Sequence, residues 1–320
     1  MIRVACIGLG EKAGPHLRYL ATRPDVRIEA LCDSDPAALR ACRRPAGARA
    51  FTSVARMLRA VPLDAVWICT PASVRRGPLL ACAARRLPVM CEIPVERTLA
   101  RAWQLARDLK ARDARVQVGY VFRSVPIVRR LLKEMRGDDI RGIVSVFGCG
   151  QEAGAGGRAR PEALLEQIAH NVDLLRLLVG DAVRVDRAGA GARSADGAQA
   201  AGLQFATGAA GSHIHLPRGS TWRNEMLLTG ARRSYRLDLG RGLLTIEEGS
   251  KVRAYRQDPS RLYEHEDARF LDQVVAGEWD RNPCDFEQGV ASLALALACK
   301  HAPRAAAGRT SGTRKAPCSR

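Results

Sequence analysis

The chain has no run approaching the ~20 consecutive apolar residues that a membrane-spanning helix needs, which argues against a helical membrane protein. Its opening residues, Met1-Ile2-Arg3-Val4-Ala5-Cys6-Ile7, enter a strand pattern directly. They lack the basic region, apolar stretch and cleavage site of a secretory signal, so the expected location is the cytoplasm. Aromatic residues make up only 5% of the chain, and no helix-turn-helix, zinc-finger or RNA-recognition pattern is present. The formal net charge of +18 is therefore not read as a nucleic-acid footprint. Lysine is scarce, 6 against 45 arginines, and six of the basic residues lie in the last 21 positions, where no acid occurs. No two of the ten cysteines are spaced C-x-x-C, so buried reduced thiols are expected and no metal site.

What is present is an ordinary globular balance, 47% hydrophobic and 26% charged, over 320 residues. That length accommodates two domains with proper cores. Up to about residue 120, short apolar runs alternate with helical patterns, as a parallel α/β sheet requires. The strand-like runs are Arg3 to Gly8, Val26 to Asp33, Ala65 to Thr70, Pro88 to Cys91 and Val116 to Gly119. Helical patterns cover Pro15 to Leu20, Pro36 to Cys42, Ser53 to Ala60, Arg75 to Ala84 and Thr98 to Ala111, with Thr98 as an expected N-cap. Beyond Gly119 the character changes. A helix is expected over Val125 to Met135, a strand over Ile143 to Gly148, a loop over Gly150 to Arg160, and a helix from Pro161 to Val179 that stops at Gly180. Short strand-like runs then recur, among them Gly202 to Ala206, Met226 to Thr229 and Leu243 to Glu247, suggesting a mixed or antiparallel sheet. Helices over Tyr263 to Val275 and Phe286 to Cys299 close this part. The expected division is 1–120, 121–302 and a basic disordered tail over 303–320.

One motif carries chemistry. Gly8-Leu9-Gly10-Glu11-Lys12-Ala13 fits G-x-G-x-x-G/A between an apolar strand and a helix. The first glycine permits a tight turn and the second lets backbone approach a pyrophosphate. The third small residue, Ala13, lets helix and strand pack closely. The helix N-terminus then offers free N–H groups to the phosphates. Asp33 ends the second strand-like run, 25 residues after Gly8. A carboxylate there accepts hydrogen bonds from ribose hydroxyls and repels a 2′-phosphate, which favours NAD over NADP. The bland alternative is an ordinary strand-to-helix turn with Asp33 capping the helix near Pro36.

Further stretches resemble the Gfo/Idh/MocA family of NAD(P)-dependent sugar and polyol dehydrogenases. Ile7 to Leu20, with His16, is similar to its opening motif. Cys69-Thr70-Pro71 is similar to a family loop that borders the nicotinamide, although Ser73 and Arg75 stand where the family has Asn and His. Cys91-Glu92-Ile93-Pro94 matches Cys-Glu-Lys-Pro except at the lysine; there the resemblance implies a cis bond before Pro94. Gly119-Tyr120-Val121-Phe122-Arg123-Ser124-Val125-Pro126 resembles Gly-Tyr-x-x-Arg-Phe-x-Pro. It implies that Tyr120 and Arg123 reach substrate hydroxyls, or else pack the domain junction.

Glu166-Gln167-Ile168-Ala169-His170-Asn171-Val172-Asp173 resembles the family's Asp-x-Gly-x-His-x-x-Asp helix. Glu166, His170 and Asp173, at i, i+4 and i+7, share one helix face. The resemblance implies His170 as general base, a carboxylate orienting it, and Gln167 near substrate. His213 and His215 alternate on a strand-like run without a carboxylate partner and are not read as ligands.

The resemblance thus implies an α/β chain: an N-terminal Rossmann doubly wound parallel sheet, followed by an α+β domain on a predominantly antiparallel open sheet. It implies NAD bound by Gly8, Leu9, Gly10, Ala13, Asp33, Thr70, Pro71, Glu92 and Pro94, and oxidation of a hydroxyl on a sugar, inositol or related polyol. A homodimer or homotetramer, formed through the open sheet, is also expected. In the family the lysine after the glutamate is a catalytic helper, and Ile93 cannot replace its charge. The alternatives are a redox-assisted glycosidase or a ligand-binding relative without catalysis.

Overall fold

The computed structural model describes residues 1–148, 163–188, 199–216 and 222–301. The expected loop over Gly150 to Arg160, the helix start at Pro161 and the tail over 303–320 lie outside those residues. Six strands form a parallel sheet: β1 (Ile2–Ile7), β2 (Val26–Cys32), β3 (Arg49–Phe51), β4 (Ala65–Ile68), β5 (Val89–Cys91) and β6 (Val116–Val118). Their order is β3-β2-β1-β4-β5-β6, so the chain reverses direction across the sheet beside β1. In open α/β sheets, ligands bind at such a switch point, outside the carboxyl ends of the strands. The crossovers carry α1 (Ala13–Thr22), α2 (Pro36–Ala41), α3 (Val54–Ala60), α4 (Arg76–Ala83) and α5 (Leu99–Lys110).

The second sheet comprises β7 (Ile140–Gly148), β8 (Ala182–Ala188), β9 (Gln199–Phe205), β10 (Ala210–His215), β11 (Arg223–Gly230), β12 (Ser234–Asp238), β13 (Leu243–Glu248) and β14 (Lys251–Arg256). Its order is β14-β13-β12-β11-β7-β10-β9-β8, and every described pairing is antiparallel except β10 with β7. Four helices accompany it: α6 (Pro126–Glu134), α7 (Ala163–Val179), α8 (Leu262–Ala276) and α9 (Phe286–His301). On β11, Asn224, Met226 and Leu228 are buried while Leu227 between them is exposed, the period-2 signature of a sheet with one open face. Leu227 pairs across that face with Val144, also exposed.

Four strands had no run named for them: β3 and β8, and, inside the stretch of recurring strand-like runs, β12 and β14. β3 has three residues, and the residues of β14 are almost wholly exposed, so neither carries a run of apolar positions. Thr98 stands at the N-cap of α5 without a side-chain cap bond, whereas Ser53 does accept from Arg56 N at the start of α3. The expected helix stop at Gly180 holds, with φ at +106°, a conformation that glycine adopts readily.

The two sheets share one core. Parallel strands are buried on both faces. One face of the first sheet, through Ala5, Ile7, Val66 and Ile68, joins a cluster that runs on through Leu175 of α7, Leu237 of β12 and Leu293 of α9. The other face, through Val4, Cys6 and Trp67, packs with Phe270 and Leu271 of α8. Helix α8 thus lies on the first sheet beside α1 rather than on the sheet that precedes it in sequence. An amphipathic pattern says that a face is buried and is silent on what covers it.

A buried ion pair fixes the junction. Arg123, in the short helical turn after β6, donates from Nε and Nη2 to both oxygens of Asp173 at 2.8 and 2.7 Å. Ser292 Oγ of α9 donates to the same carboxylate at 2.6 Å, and Arg123 Nη1 donates to Pro283 O and Gln288 Oε1. The side chains are 4% and 1% exposed. Removing one member of such a pair strands the other charge in a dry site. Asp173→Ala is expected to cost about 3–5 kcal/mol in urea denaturation; an unchanged midpoint would refute the clamp.

Candidate functional site

The turn between β1 and α1 is built for close approach. Gly8 has φ +85°, and a Cβ added there would lie 2.7 Å from Thr70 N. A side chain is thus barred twice, by backbone conformation and by the neighbouring loop. Around Gly10 an added Cβ would meet nothing within 4 Å, leaving open space over the turn. Ala13 is buried against the sheet. Asp33 follows β2, and its Oδ2 accepts from Leu9 N at 2.7 Å while Oδ1 accepts from Asp35 N. Asp35, not Asp33, caps α2, accepting from Ala37 N at 2.7 Å. The bland reading of Asp33 as that cap is thereby replaced.

These residues line a cavity of about 670 Å³. Gly8, Gly10 and Asp33 stand on its walls together with Thr70, Pro71, Ile93, Pro94, Lys12 and Glu166. A dinucleotide with its pyrophosphate over Gly10 and a ribose at Asp33 suits this lining: bare backbone at the turn, a carboxylate at the strand end. Of the sequence-derived cofactor residues, Gly8, Gly10, Asp33, Thr70, Pro71 and Pro94 line it, while Leu9, the buried Ala13 and Glu92, which is 3% exposed, do not.

Glu92 instead anchors a buried charge network. His16 of α1 donates from Nε2 to Glu92 Oε1 at 3.2 Å and from Nδ1 to Asp267 of α8 at 2.7 Å. Trp67 Nε1 also donates to Asp267, at 2.8 Å. Burial opposes a charged imidazole, but the charge and hydrogen bond of Asp267, with the bond to Glu92, outweigh it and hold His16 well above its ordinary value. Burial likewise opposes ionised Glu92; the His16 bond and the charges of Lys12, His16 and Arg75 outweigh it and hold its carboxyl at about 2. Neighbouring Glu266 goes the other way. Burial, reinforced by Glu92 and Asp267, raises it well above the carboxylate range.

Arg75 is the second brace. Its buried guanidinium donates to the carbonyls of Thr70, Glu92 and Pro94, tying the loop after β4 to the loop after β5. Glu92 Oε2 accepts from Ile93 N at 3.0 Å, and the Ile93–Pro94 bond is cis. Ile93 itself is 2% exposed.

On α7, Asn171 donates to Ser145 Oγ and Asn224 Oδ1 and so docks the helix on the second sheet. Glu166 then meets Lys12 Nζ across the cleft at 3.8 Å. His170 is partly exposed, with Tyr120 and Phe122 beside its ring at 6.4 and 5.4 Å between centroids. Its Nδ1 is buried without a hydrogen-bond partner. Burial, and after it the charge of Lys12, lowers His170 to about 4, with Glu92 opposing.

The expected trio on one face does not act together. Asp173 binds Arg123, so it does not orient His170, and Arg123 is consumed by that pair rather than directed at a ligand. Tyr120 is buried, its hydroxyl without a partner. The side chain of Gln167 lies outside the described residues. His213 and His215 are buried, the first against Ser145 and the second stacked on Phe147. Sequence reasoning missed Lys12, which sits at a variable position of the glycine motif, and Asp267, 251 residues from His16. The scarcity of lysine was the available signal for the first; nothing local marked the second.

Residues 2–120 match the family described as the oxidoreductase family with an NAD-binding Rossmann fold, Gfo/Idh/MocA. The rhizopine catabolism protein MocA of Rhizobium meliloti is 28% identical over 183 residues, 56% of this chain. The match spans 57% of that relative's length. An inositol 2-dehydrogenase of Mycolicibacterium vanbaalenii is 23% identical over 93% of this chain and 91% of its own. Among solved structures, the scyllo-inositol dehydrogenase of Lactobacillus casei with NAD(H) and scyllo-inositol superposes with a TM-score of 0.77. It has 18% identity and covers 93% of this chain and 95% of that one, a likeness of fold.

The charge network yields a prediction. His16→Gln leaves Glu92 and Asp267 without their cation and is expected to cost about 3–5 kcal/mol at pH 7. Because His16 is raised, its contribution is full below its unfolded value of about 6.5 and fades only as pH climbs through the raised one. Because Glu92 is lowered, its contribution is full above its ordinary 4.5 and fades as pH falls toward 2. Urea midpoints of both proteins at pH 5, 7 and 9 should differ most at the two lower values; equal midpoints throughout would contradict a charged His16.

Proposed function

We propose that the chain, whose residues 2–120 match the Gfo/Idh/MocA oxidoreductase family, is an NAD-dependent dehydrogenase acting on a hydroxyl of a polyol such as an inositol or a sugar. The observation that carries the proposal is the single cavity in which the glycine turn, Asp33, the Thr70-Pro71 loop and the Ile93-Pro94 loop face Glu166 of the other half of the chain. Inositol dehydrogenases among the relatives support the substrate class.

Gly8, Gly10, Ala13 and Asp33 hold the dinucleotide, and Thr70, Pro71 and Pro94 border its reactive end. The cofactor, when bound, supplies the acceptor for the carbon-bound hydrogen and its two electrons. The chain supplies the rest. His170, partly exposed on α7, takes the hydroxyl proton. A base held at about 4 is neutral, and therefore competent, throughout the neutral range. Tyr120 and Phe122 pack beside the imidazole. Asp33 supports NAD over NADP because a 2′-phosphate beside its carboxylate is repelled.

The primary test is absorbance at 340 nm with NAD and a panel of inositols, aldoses and sugar acids. A substrate-dependent rise is expected; a flat trace across the panel with NAD bound counts against the reading. The acidic limb of kcat/KM is expected near pH 4 to 5, displaced from the ~6.5 of an ordinary histidine. His170→Ala is expected to lower kcat about 10²–10⁴-fold, and a variant as fast as the wild type would remove His170 as the base.

Asp33→Ala tests the cofactor preference through binding alone. Losing charge-assisted bonds worth ~1.5–3 kcal/mol weakens NAD about ten- to a hundredfold in titration calorimetry. Unchanged NAD affinity, or NADP bound equally well by the wild type, would overturn that role.

A further inference from the structure

We propose that Lys12, carried on the nucleotide-binding turn, is a catalytic residue whose ammonium group steadies the alkoxide that develops on the substrate hydroxyl. The inference rests on the dehydrogenase reading and assigns the positive charge that reading requires. The loop that would hold a charge beside the reacting centre ends instead in Ile93, an aliphatic side chain 2% exposed.

Among the described residues, two cationic side chains line the cavity, Lys12 and Arg75. Arg75 is a brace: its Nη1 and Nη2 donate to three backbone carbonyls, its Nε is buried without a partner, and the residue is 2% exposed. Lys12 is placed differently. Its side chain is 29% exposed, and its Nζ lies 3.8 Å from Glu166 Oε2, an electrostatic contact too long for a hydrogen bond. An ammonium has three donors, so a substrate oxygen can be received without dismantling that contact.

The reach of its field locates the group. Lys12 acts on Glu92 after β5, on His170 of α7 and on Glu266 of α8. One charge thus sits where the two halves of the chain meet, 3.8 Å from Glu166, which lies one turn of α7 before the proposed base. A cation held beside a developing oxyanion stabilises it, and loss of one such contact costs ~10²–10³ in rate. Ile93 contributes by keeping the wall dry.

The position on the phosphate-binding turn offers a competing role, a clamp on the cofactor's pyrophosphate. The two roles separate cleanly. Lys12→Met is compared with the wild type in NAD affinity by calorimetry and in kcat at saturating NAD. The His170 titration is followed by NMR of histidine-labelled protein, assigned with His170→Gln. Expected for Lys12→Met are a kcat lower by about 10²–10³-fold, an NAD affinity within about twofold, and a His170 titration moved upward, since a neighbouring positive charge has gone. The double variant Lys12→Met/Ile93→Lys, which returns an ammonium group to the wall from the other loop, is expected to regain at least tenfold of the loss.

Lys12→Arg, which conserves the charge, should keep the His170 titration where it is and guards against an effect of folding alone. A large loss of NAD affinity with kcat retained at saturation would overturn the proposal in favour of the phosphate clamp. A His170 titration that does not move in Lys12→Met would overturn it as well, because the ammonium would then lie away from the base. A wild type that binds NAD and turns over no substrate would defeat the dehydrogenase reading and the alkoxide role with it. The titration would still report whether Lys12 faces His170.

Discussion

A positively charged imidazole with no access to water, His16, sits between Glu92 and Asp267, and the geometry of the cleft hangs from it. His16 and its partners lie on three segments that meet only in the folded protein: α1, the loop after β5, and α8. Burying one cation and two carboxylates is costly by desolvation, and the cost is met only when every charge has a partner at hydrogen-bond distance. Here it is. Trp67 adds a donor to Asp267, Ile93 N adds one to Glu92, and Glu266, which would be a third carboxylate, is driven toward its neutral form. Because α1 begins at the glycine turn, the same network that docks α8 on the first sheet also sets where the turn stands relative to the Ile93-Pro94 loop.

Charges in this cleft divide by what remains available. Arg75 is used up bracing two loops, Arg123 and Asp173 are used up on each other, and Glu92 is used up on His16. Lys12, Glu166 and His170 stand apart from that scaffolding. Two of them are partly exposed on the facing helix, and the third reaches across from the turn. A rigid outer shell whose charges brace one another, holding Lys12 and His170 opposite each other, is the arrangement a preorganised site needs.

The sequence carried the parallel sheet because its strands are short apolar runs closed by turn residues, and each of the five expected there appears. Gly8, Asp33 and the Thr70-Pro71 loop were legible because a phosphate-binding turn imposes residue types at fixed spacing. The antiparallel sheet was only half legible: β14, almost entirely exposed, has no apolar periodicity to read. The helix α7 was legible as a helix, and the spacing of Glu166, His170 and Asp173 was correct. Which of them face a ligand was not, since Asp173 turns to an arginine fifty residues upstream. Pairings of that kind, like His16 with Asp267, are properties of the tertiary fold and leave no mark within a window of sequence.

What a reacting centre feels is a field, and a field depends on where a charge stands and on the dielectric around it, not on which loop carries it. A lysine on the glycine turn and an isoleucine after Glu92 can therefore serve the same demand as the reverse assignment, with one difference. A cation beside the base makes that base weaker as well as steadying the alkoxide, and burial has already lowered His170 to about 4. The two effects pull against each other: the proton is accepted less readily, while the oxygen left behind is better held. Glu166, 3.8 Å from the ammonium, and Glu92, whose charge opposes that of Lys12 at His170, temper the first effect without removing the second. The acidic side chains around Lys12 would in this view let a displaced lysine and the proposed base serve one site.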